Sequence, residues 1–132
     1  MTGGSRGLGL ALCEALTAAG GRVAFTYSKS DSDAELARAR IVAQGSEPLL
    51  FRGSVADAAH VQATVAQLTA TWGGIDVLIN NAGITQILPI ALLEEADWDA
   101  VMDINVKGAY LFSRAVLKSM IRARAGHILS IG

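Results

Sequence analysis

The sequence predicts an α/β fold in which a doubly wound parallel sheet carries helices on both faces. Two patterns predict it. Short runs of apolar residues alternate with single amphipathic stretches along the chain, and strands separated by single helices form right-handed crossovers within a parallel sheet. The runs are also apolar at consecutive positions, as residues 77–79 show, which is typical of strands covered by helices on both faces.

The predicted elements follow one another in a regular order. Predicted helices cover residues 5–19, 33–44, 57–71, 94–105 and 106–123, and predicted strands cover 23–27, 49–51 and 77–79, with a last strand opening at 128. Glycines stop the first three helices. The apolar pattern of the first helix consists of Leu8, Leu12, Ala15 and Leu16, and the inward candidates of the second are Leu36, Ile41 and Val42.

Length and composition narrow the class of protein. The 132 residues fit one domain spanning 1–132, and 52% hydrophobic against 17% charged residues predicts a well-buried core. A net charge of −1 gives no electrostatic case for binding nucleic acid or an anionic membrane. Cys13 is the single cysteine, which excludes an internal disulfide and fits a reducing compartment. We therefore expect a soluble cytoplasmic protein without a membrane-spanning segment.

A glycine-rich loop, residues 2–9, opens the chain and runs into the first helical pattern. Glycines at this spacing bring backbone N–H groups against a phosphate at a helix N-terminus. Such a loop normally follows a buried strand, yet only Met1 precedes it, and residues 127–132 read as a strand that has just begun. We therefore expect the nucleotide-binding part of a larger protein, cut at both edges.

The residues at the end of the predicted strand 23–27 favour NADP over NAD. A nucleoside triphosphatase loop needs Gly-Lys-Ser/Thr at the helix start, and residues 6–8 do not supply it. An NAD site usually places an acidic residue at the end of the strand 23–27 to hold the ribose 2′-hydroxyl, whereas this chain has Tyr27-Ser28-Lys29. Lys29 together with Arg6 can bind a 2′-phosphate. The alternative for Lys29 is a solvated loop lysine.

Two further segments carry predictions. Asn80-Asn81-Ala82-Gly83 follows a buried strand, where small residues let a cofactor lie close to the backbone and asparagines can tie neighbouring strand ends together. An ordinary turn explains the glycine but not the two asparagines. The helix 106–123 is apolar over more than one stripe, which predicts self-association through its second face. The alternative is that further chain covers that face.

Four segments in order, 2–9, 74–83, 103–108 and 126–132, resemble the short-chain dehydrogenase/reductase family, and within it most closely the 3-oxoacyl-acyl-carrier-protein reductases. The resemblance covers the whole chain. It implies a Rossmann-type sheet that lacks its first strand and C-terminal part, and an NADP-dependent oxidoreductase acting on a ketone or alcohol, with 3-oxoacyl thioesters as candidate substrates.

The resemblance also implies a role for individual residues. The pyrophosphate and adjoining ribose phosphate would contact Gly3, Ser5, Arg6, Leu8 and Gly9. Ser28 and Lys29 would lie near the 2′-phosphate, and Ser54 and Val55 would flank the adenine. Asn81, Ala82 and Gly83 would pass under the adenosine ribose towards the nicotinamide. Asn105 corresponds to the catalytic asparagine, which holds a water in the proton relay; the alternative is a polar residue that interrupts a helix.

Two departures from the family pattern matter. Ser54 stands where an aspartate is usual, so the contact with the adenine amino group loses its charge. The catalytic serine would follow Gly132 directly, and the Tyr-x-x-x-Lys pair would lie further on, so we expect the chain by itself to be inactive. Two functions stay open: a cofactor-binding fragment of an NADP-dependent ketoreductase, or a non-catalytic nucleotide-binding or interaction module that associates with a full-length relative.

Overall fold

The computed structural model describes all 132 residues and contains four short strands and five α-helices. In chain order the elements are α1 Gly7–Ala18, β1 Ala24–Tyr27, α2 Asp31–Val42, β2 Leu49–Arg52, α3 Ala58–Trp72, β3 Val77–Asn80, a 3-10 turn Ile90–Leu92, α4 Glu95–Met102, a π-helical turn Asp103–Lys107, α5 Gly108–Ala123 and β4 His127–Ser130. Each strand is separated from the next by at least one helix, as the sequence predicts, and all pairings are parallel.

The sheet consists of two parallel pairs held together by the first residues of the chain. β1 pairs with β2, and β3 pairs with β4. Thr2 forms a parallel bridge with Thr26 of β1, and its N–H donates to the Ile79 carbonyl of β3 at 3.0 Å. Residues 1–2 therefore lie between β1 and β3 and join the two pairs.

The apolar core is divided between the two faces of the sheet. One cluster joins α1, α2 and β1 and comprises Leu10, Cys13, Val23, Phe25, Ala34, Ala37 and Ile41. The other joins α3, β3 and α5 and comprises Val55, Val61, Val65, Leu78, Phe112, Val116 and Met120. Helices thus cover both faces, which confirms the predicted fold class. No helix of the molecule is long and apolar enough to span a membrane.

The inward faces of α1 and α2 differ from the predicted ones. Leu8 and Leu16 are exposed, and the buried residues of α1 are Gly9, Leu10, Cys13 and Thr17. Likewise Leu36 and Val42 of α2 are exposed, and its buried residues are Ala34, Ala37 and Ile41. Ala34 and Ala37 let the backbone of α2 approach its neighbours closely, and the larger Leu10 and Ile41 are buried beside them.

Helix ends follow local capping chemistry. α2 begins at Asp31, two residues before its predicted start, because the Ser30 side chain accepts the Asp33 N–H at 3.1 Å. α3 begins after Asp57, whose carboxylate accepts two backbone N–H groups, and it ends at Gly73 in the left-handed conformation. The predicted junction near 105 is not a break, since the π-helical turn links α4 directly to α5.

Candidate functional site

The glycine loop folds back tightly on the start of α1 and on the segment after β3. A Cβ added at Gly9 would overlap the Gly3 carbonyl oxygen and would lie 2.6 Å from Asn81 Nδ2. Gly3 adopts a left-handed φ of +66°, and a Cβ there would lie 3.0 Å from the Ala82 Cα. Glycine is therefore required at both positions, because the backbones approach too closely for any side chain.

Asn81 and Thr2 lock the loop to the end of β3. The Asn81 side-chain amide donates to the carbonyls of Thr2 at 3.1 Å and Gly3 at 3.0 Å. In return, the Thr2 hydroxyl accepts the N–H groups of Asn81 at 2.9 Å and Ala82 at 3.0 Å. The tie between strand ends that the sequence predicts for an asparagine is therefore present, and it holds residues 81–83 beside the glycine loop.

The N-terminus of α1 has backbone donors available for an anion. Arg6 stands at the capping position, but its side chain makes no capping hydrogen bond, and the first turn contains no acidic residue. By contrast, Ser30 caps α2 and Asp57 caps α3. The exposed first turn, which includes Leu8, follows half-buried Ser5. Uncapped N–H groups at the positive end of a helix are a ready site for phosphate.

The end of β1 carries both a free cation and a neutralised acid. Ser28 and Lys29 are exposed in the bend after β1, and neither Lys29 nor Arg6 takes part in an ion pair. Asp31, which the sequence reasoning left out, lies close by: its carboxylate accepts the Tyr27 hydroxyl at 2.9 Å and pairs with Arg52 at 2.9 Å.

The Asp31 carboxylate changes the pKa of a neighbouring side chain. Its hydrogen bond with the Tyr27 hydroxyl raises the pKa of Tyr27, because ionising the phenol would put two negative charges side by side. Arg52 offsets the charge of the same carboxylate. A negative group arriving at the end of β1 therefore meets the uncompensated charge of Lys29 and not that of Asp31.

The segment after β2 supplies the next predicted contacts. The Ser54 hydroxyl accepts the Ala56 N–H at 3.2 Å, which leaves its second lone pair and its proton for a ligand. Val55 is buried and sits against Gly108 at the start of α5, where a Cβ would come within 2.6 Å of Val55 Cγ2. The His60 ring packs against Gly53 with Nε2 buried and unpaired, whereas its early position in an amphipathic helix predicts a solvent-facing side chain.

Asn105 lies in the π-helical turn and is bound to the loop that follows β3. Its Oδ1 accepts the Ile84 N–H at 2.9 Å, and its Nδ2 donates to the Ile84 carbonyl at 2.9 Å. Both lie beside a cavity of about 300 Å³ at the carboxyl ends of β3 and β4. Ligands of open parallel sheets bind at this edge. The lining includes Asn80, Ala82, Gly83, Gly108 and Gly132.

The predicted site residues thus fall into two contiguous groups. Gly3, Gly9, Asn81 and Ala82 form the first group and are in direct contact. Gly83 and Asn105 form the second group, because a Cβ built on Gly83 would lie 3.4 Å from Asn105 Oδ1. Arg6, Leu8, Ser28 and Lys29 are exposed, and none of their side chains forms a hydrogen bond with that network. This geometry suits a dinucleotide. The glycine loop leaves no room for side chains, the first turn of α1 has free N–H groups, and the cation Lys29 lies beyond the end of β1.

Comparisons with known proteins agree with this geometry. The sequence profile of the family described as short chain dehydrogenase matches residues 1–132. A curated relative, the 3-oxoacyl-(acyl-carrier-protein) reductase of Synechocystis sp., is 37% identical over 131 residues, which cover 99% of this chain and 53% of that protein. The 2-dehydro-3-deoxy-D-gluconate 5-dehydrogenase of Formosa agariphila is 34% identical, with 99% and 50% covered. The chain spans about half the length of these relatives.

A solved structure gives the same result. A metagenomic short-chain oxidoreductase in complex with NADP superposes with a TM-score of 0.93 at 34% sequence identity, and the match covers 99% of this chain and 59% of that one.

Proposed function

Since this chain belongs to the short-chain dehydrogenase family, we propose that it supplies the NADP-binding portion of an oxidoreductase that interconverts ketones and alcohols. The candidate substrates are 3-oxoacyl thioesters, as the name of the Synechocystis relative suggests. The Formosa agariphila dehydrogenase, at a similar identity, is named for a sugar acid, so the relatives favour carbonyl–alcohol chemistry more strongly than one substrate.

The close approach of the glycine loop, residues 2–9, to Asn81 and Ala82 is the single observation that carries the proposal. Gly9 has no space for a Cβ, and the first turn of α1 has no capping side chain. Packing alone would be satisfied by an ordinary capped helix start, as α2 and α3 have. An uncapped start beside a close-approach loop is what a pyrophosphate group needs, because the N–H groups and the helix dipole then face the phosphates.

Electrostatics at the end of β1 support NADP as the nucleotide. Arg6 and Lys29 carry charges that no acidic side chain neutralises, and Arg52 offsets the nearest carboxylate, Asp31. We assign the 2′-phosphate to Arg6, Ser28 and Lys29. The remaining predicted contacts keep their proposed roles: Gly3, Ser5, Leu8 and Gly9 at the pyrophosphate, Ser54 and Val55 at the adenine, and Asn81, Ala82 and Gly83 from the ribose to the nicotinamide.

Asn105 is proposed to hold a water at the site of reaction. NADPH, when bound, supplies the hydride. The Asn105 carboxamide uses one lone pair and one proton on Ile84, which leaves one of each free. Because both hydrogen bonds fix the side chain at the edge of the 300 Å³ cavity, its free groups stay oriented for a water molecule.

The test is a pair of titrations with NADPH and NADH on the 132-residue chain. Lys29→Ala is expected to weaken NADPH binding about 10-fold, the value of one charge-assisted hydrogen bond, and to change NADH binding less than about 2-fold. Lys118→Ala, an exposed lysine of α5, is the matched control and should leave both affinities unchanged. Equal losses for NADPH and NADH would contradict the assignment of the 2′-phosphate.

A second candidate function, a non-catalytic module that associates with copies of itself or with a full-length relative, is favoured by one observation. α5 buries Phe112, Val116 and Met120, while Tyr110 and Ile121 on another face are 55% and 66% exposed. We propose self-association through that face of the helix. Ile121→Lys should lower the sedimentation coefficient. The control is Gln44→Ala, at an exposed residue after α2, which packs on the opposite face of the sheet, and it should leave the sedimentation coefficient unchanged. A parent chain that sediments as a monomer at every concentration would contradict it.

A further inference from the structure

The guanidinium group of Arg52 lies beside the bend 28–30 that follows β1. Arg52 ends β2 and is paired in register with Tyr27, the last residue of β1, and the Gly53 N–H donates to the Tyr27 carbonyl at 2.8 Å. Neighbouring strands lie about 4.8 Å apart, and the next Cα along the chain is about 3.8 Å further on, so the bend is within reach of an arginine side chain. Arg52 Nη1 is 2.9 Å from the carboxylate of Asp31, the first residue of α2, which comes directly after the bend. The cation therefore lies at the strand end to which the 2′-phosphate is assigned.

The contact between Arg52 and Asp31 is weakly held. Both side chains are 58% exposed, and Nη1 forms the only hydrogen bond between them. Arg40, by contrast, binds Glu14 through both Nε and Nη2. Exposed ion pairs contribute little to stability, and a guanidinium group has five N–H donors. Arg52 can therefore exchange Asp31 for another anion at small cost, and its planar fork is free to bind that anion through two N–H groups.

Asp31 keeps other stabilising contacts when Arg52 leaves it. Its second carboxylate oxygen accepts the Tyr27 hydroxyl at 2.9 Å. It also lies in the first turn of α2, where the helix dipole favours a negative charge. The backbone of that turn does not need Arg52 either, because the Ser30 side chain caps the helix. The carboxylate therefore holds the guanidinium group without depending on it.

A 2′-phosphate beside the bend is a stronger partner for Arg52 than Asp31 is. A phosphate monoester carries about 1.5–2 negative charges near pH 7, more than a carboxylate, and it offers three oxygens to a guanidinium fork. We propose that Arg52 is a further ligand of the 2′-phosphate and that Asp31 competes with the nucleotide for its guanidinium group; this inference rests on the proposed NADP site. Arg52 and Asp31 together set how strongly the site prefers NADPH to NADH.

The test is a double-mutant cycle in which the affinities for NADPH and NADH are measured by isothermal titration calorimetry. Arg52→Ala should weaken NADPH binding about 10-fold and change NADH binding less than about 2-fold. Asp31→Asn keeps an acceptor for the Tyr27 hydroxyl but releases the guanidinium group, so NADPH affinity should rise about 3- to 5-fold. Arg38→Ala, which removes another exposed arginine that forms ion pairs, is the matched control and should leave both affinities unchanged.

The comparison that separates contact from charge is Arg52→Ala in the Asp31→Asn background. A ligand of the phosphate should still lose about 10-fold in NADPH affinity there. A residue that only neutralises Asp31 would lose nothing, and that result would overturn the proposal. A parent chain that prefers NADPH while Arg52→Ala binds both nucleotides as the parent does would overturn this inference and leave the proposed function intact. A parent chain that binds neither nucleotide would overturn both.

A second measurement observes the arginine side chain itself. The Arg52 Nε–H makes no hydrogen bond in the structure, and its NMR signal can be assigned by its absence from Arg52→Lys. NADPH should shift that signal in a saturable way, and NADH should not. A signal that stays unchanged at saturating NADPH would overturn the proposal.

Discussion

Gly9→Ala tests the close approach between the glycine loop and α1. The new methyl group would overlap the Gly3 carbonyl oxygen and stand 2.6 Å from Asn81 Nδ2, so the loop must move away. Overpacking of this kind costs about 1–3 kcal/mol. The shift would also break the two hydrogen bonds from the Asn81 amide to the loop carbonyls, at about 1 kcal/mol each. Alanine has a better helix propensity than glycine, which offsets about 1 kcal/mol of this cost. The unfolding free energy should therefore fall by about 2–4 kcal/mol.

The assay is urea denaturation of the 132-residue chain followed by far-ultraviolet circular dichroism, with NADPH titration in parallel. Gly74→Ala is the matched control, because a Cβ at Gly74 meets nothing within 4 Å, and its unfolding free energy should stay within about 0.5 kcal/mol of the parent. If the unfolding free energy of Gly9→Ala also stays within about 0.5 kcal/mol of the parent and the variant binds NADPH normally, the loop does not approach α1 closely enough to exclude a side chain.

Two further predictions rest on separate features. Asn105→Ala should lower the unfolding free energy by about 1 kcal/mol in urea denaturation, because it removes two exposed hydrogen bonds to Ile84 that water can partly replace, and a stability equal to the parent would count against that tie. Burial raises the pKa of Cys13 to about 11, so a disulfide reagent at about pH 8 should modify it only as fast as the chain unfolds; immediate modification would contradict its burial.

The sequence predicted the fold more completely than it predicted the site. Alternation of apolar runs with amphipathic stretches is a local property, so element order and parallel pairing could be read from it. Gly3 and Gly9 could be identified because a backbone that approaches another backbone excludes side chains. The Asp31–Arg52 pair could not be anticipated, since its partners are 21 residues apart and meet only because β1 and β2 are neighbours.

By itself, then, the sequence determined the α/β class, the glycine loop and the asparagine-containing segment after β3, because composition and short spacings record them. The tertiary structure alone decided which faces of α1 and α2 are buried, where small residues such as Ala34 and Ala37 displaced Leu36 from the contact. It also decided that residues 1–2 would lie between β1 and β3 and join the two pairs of strands. Both depend on how closely distant backbones pack, and that distance is set by the assembled sheet and not by any local stretch of chain.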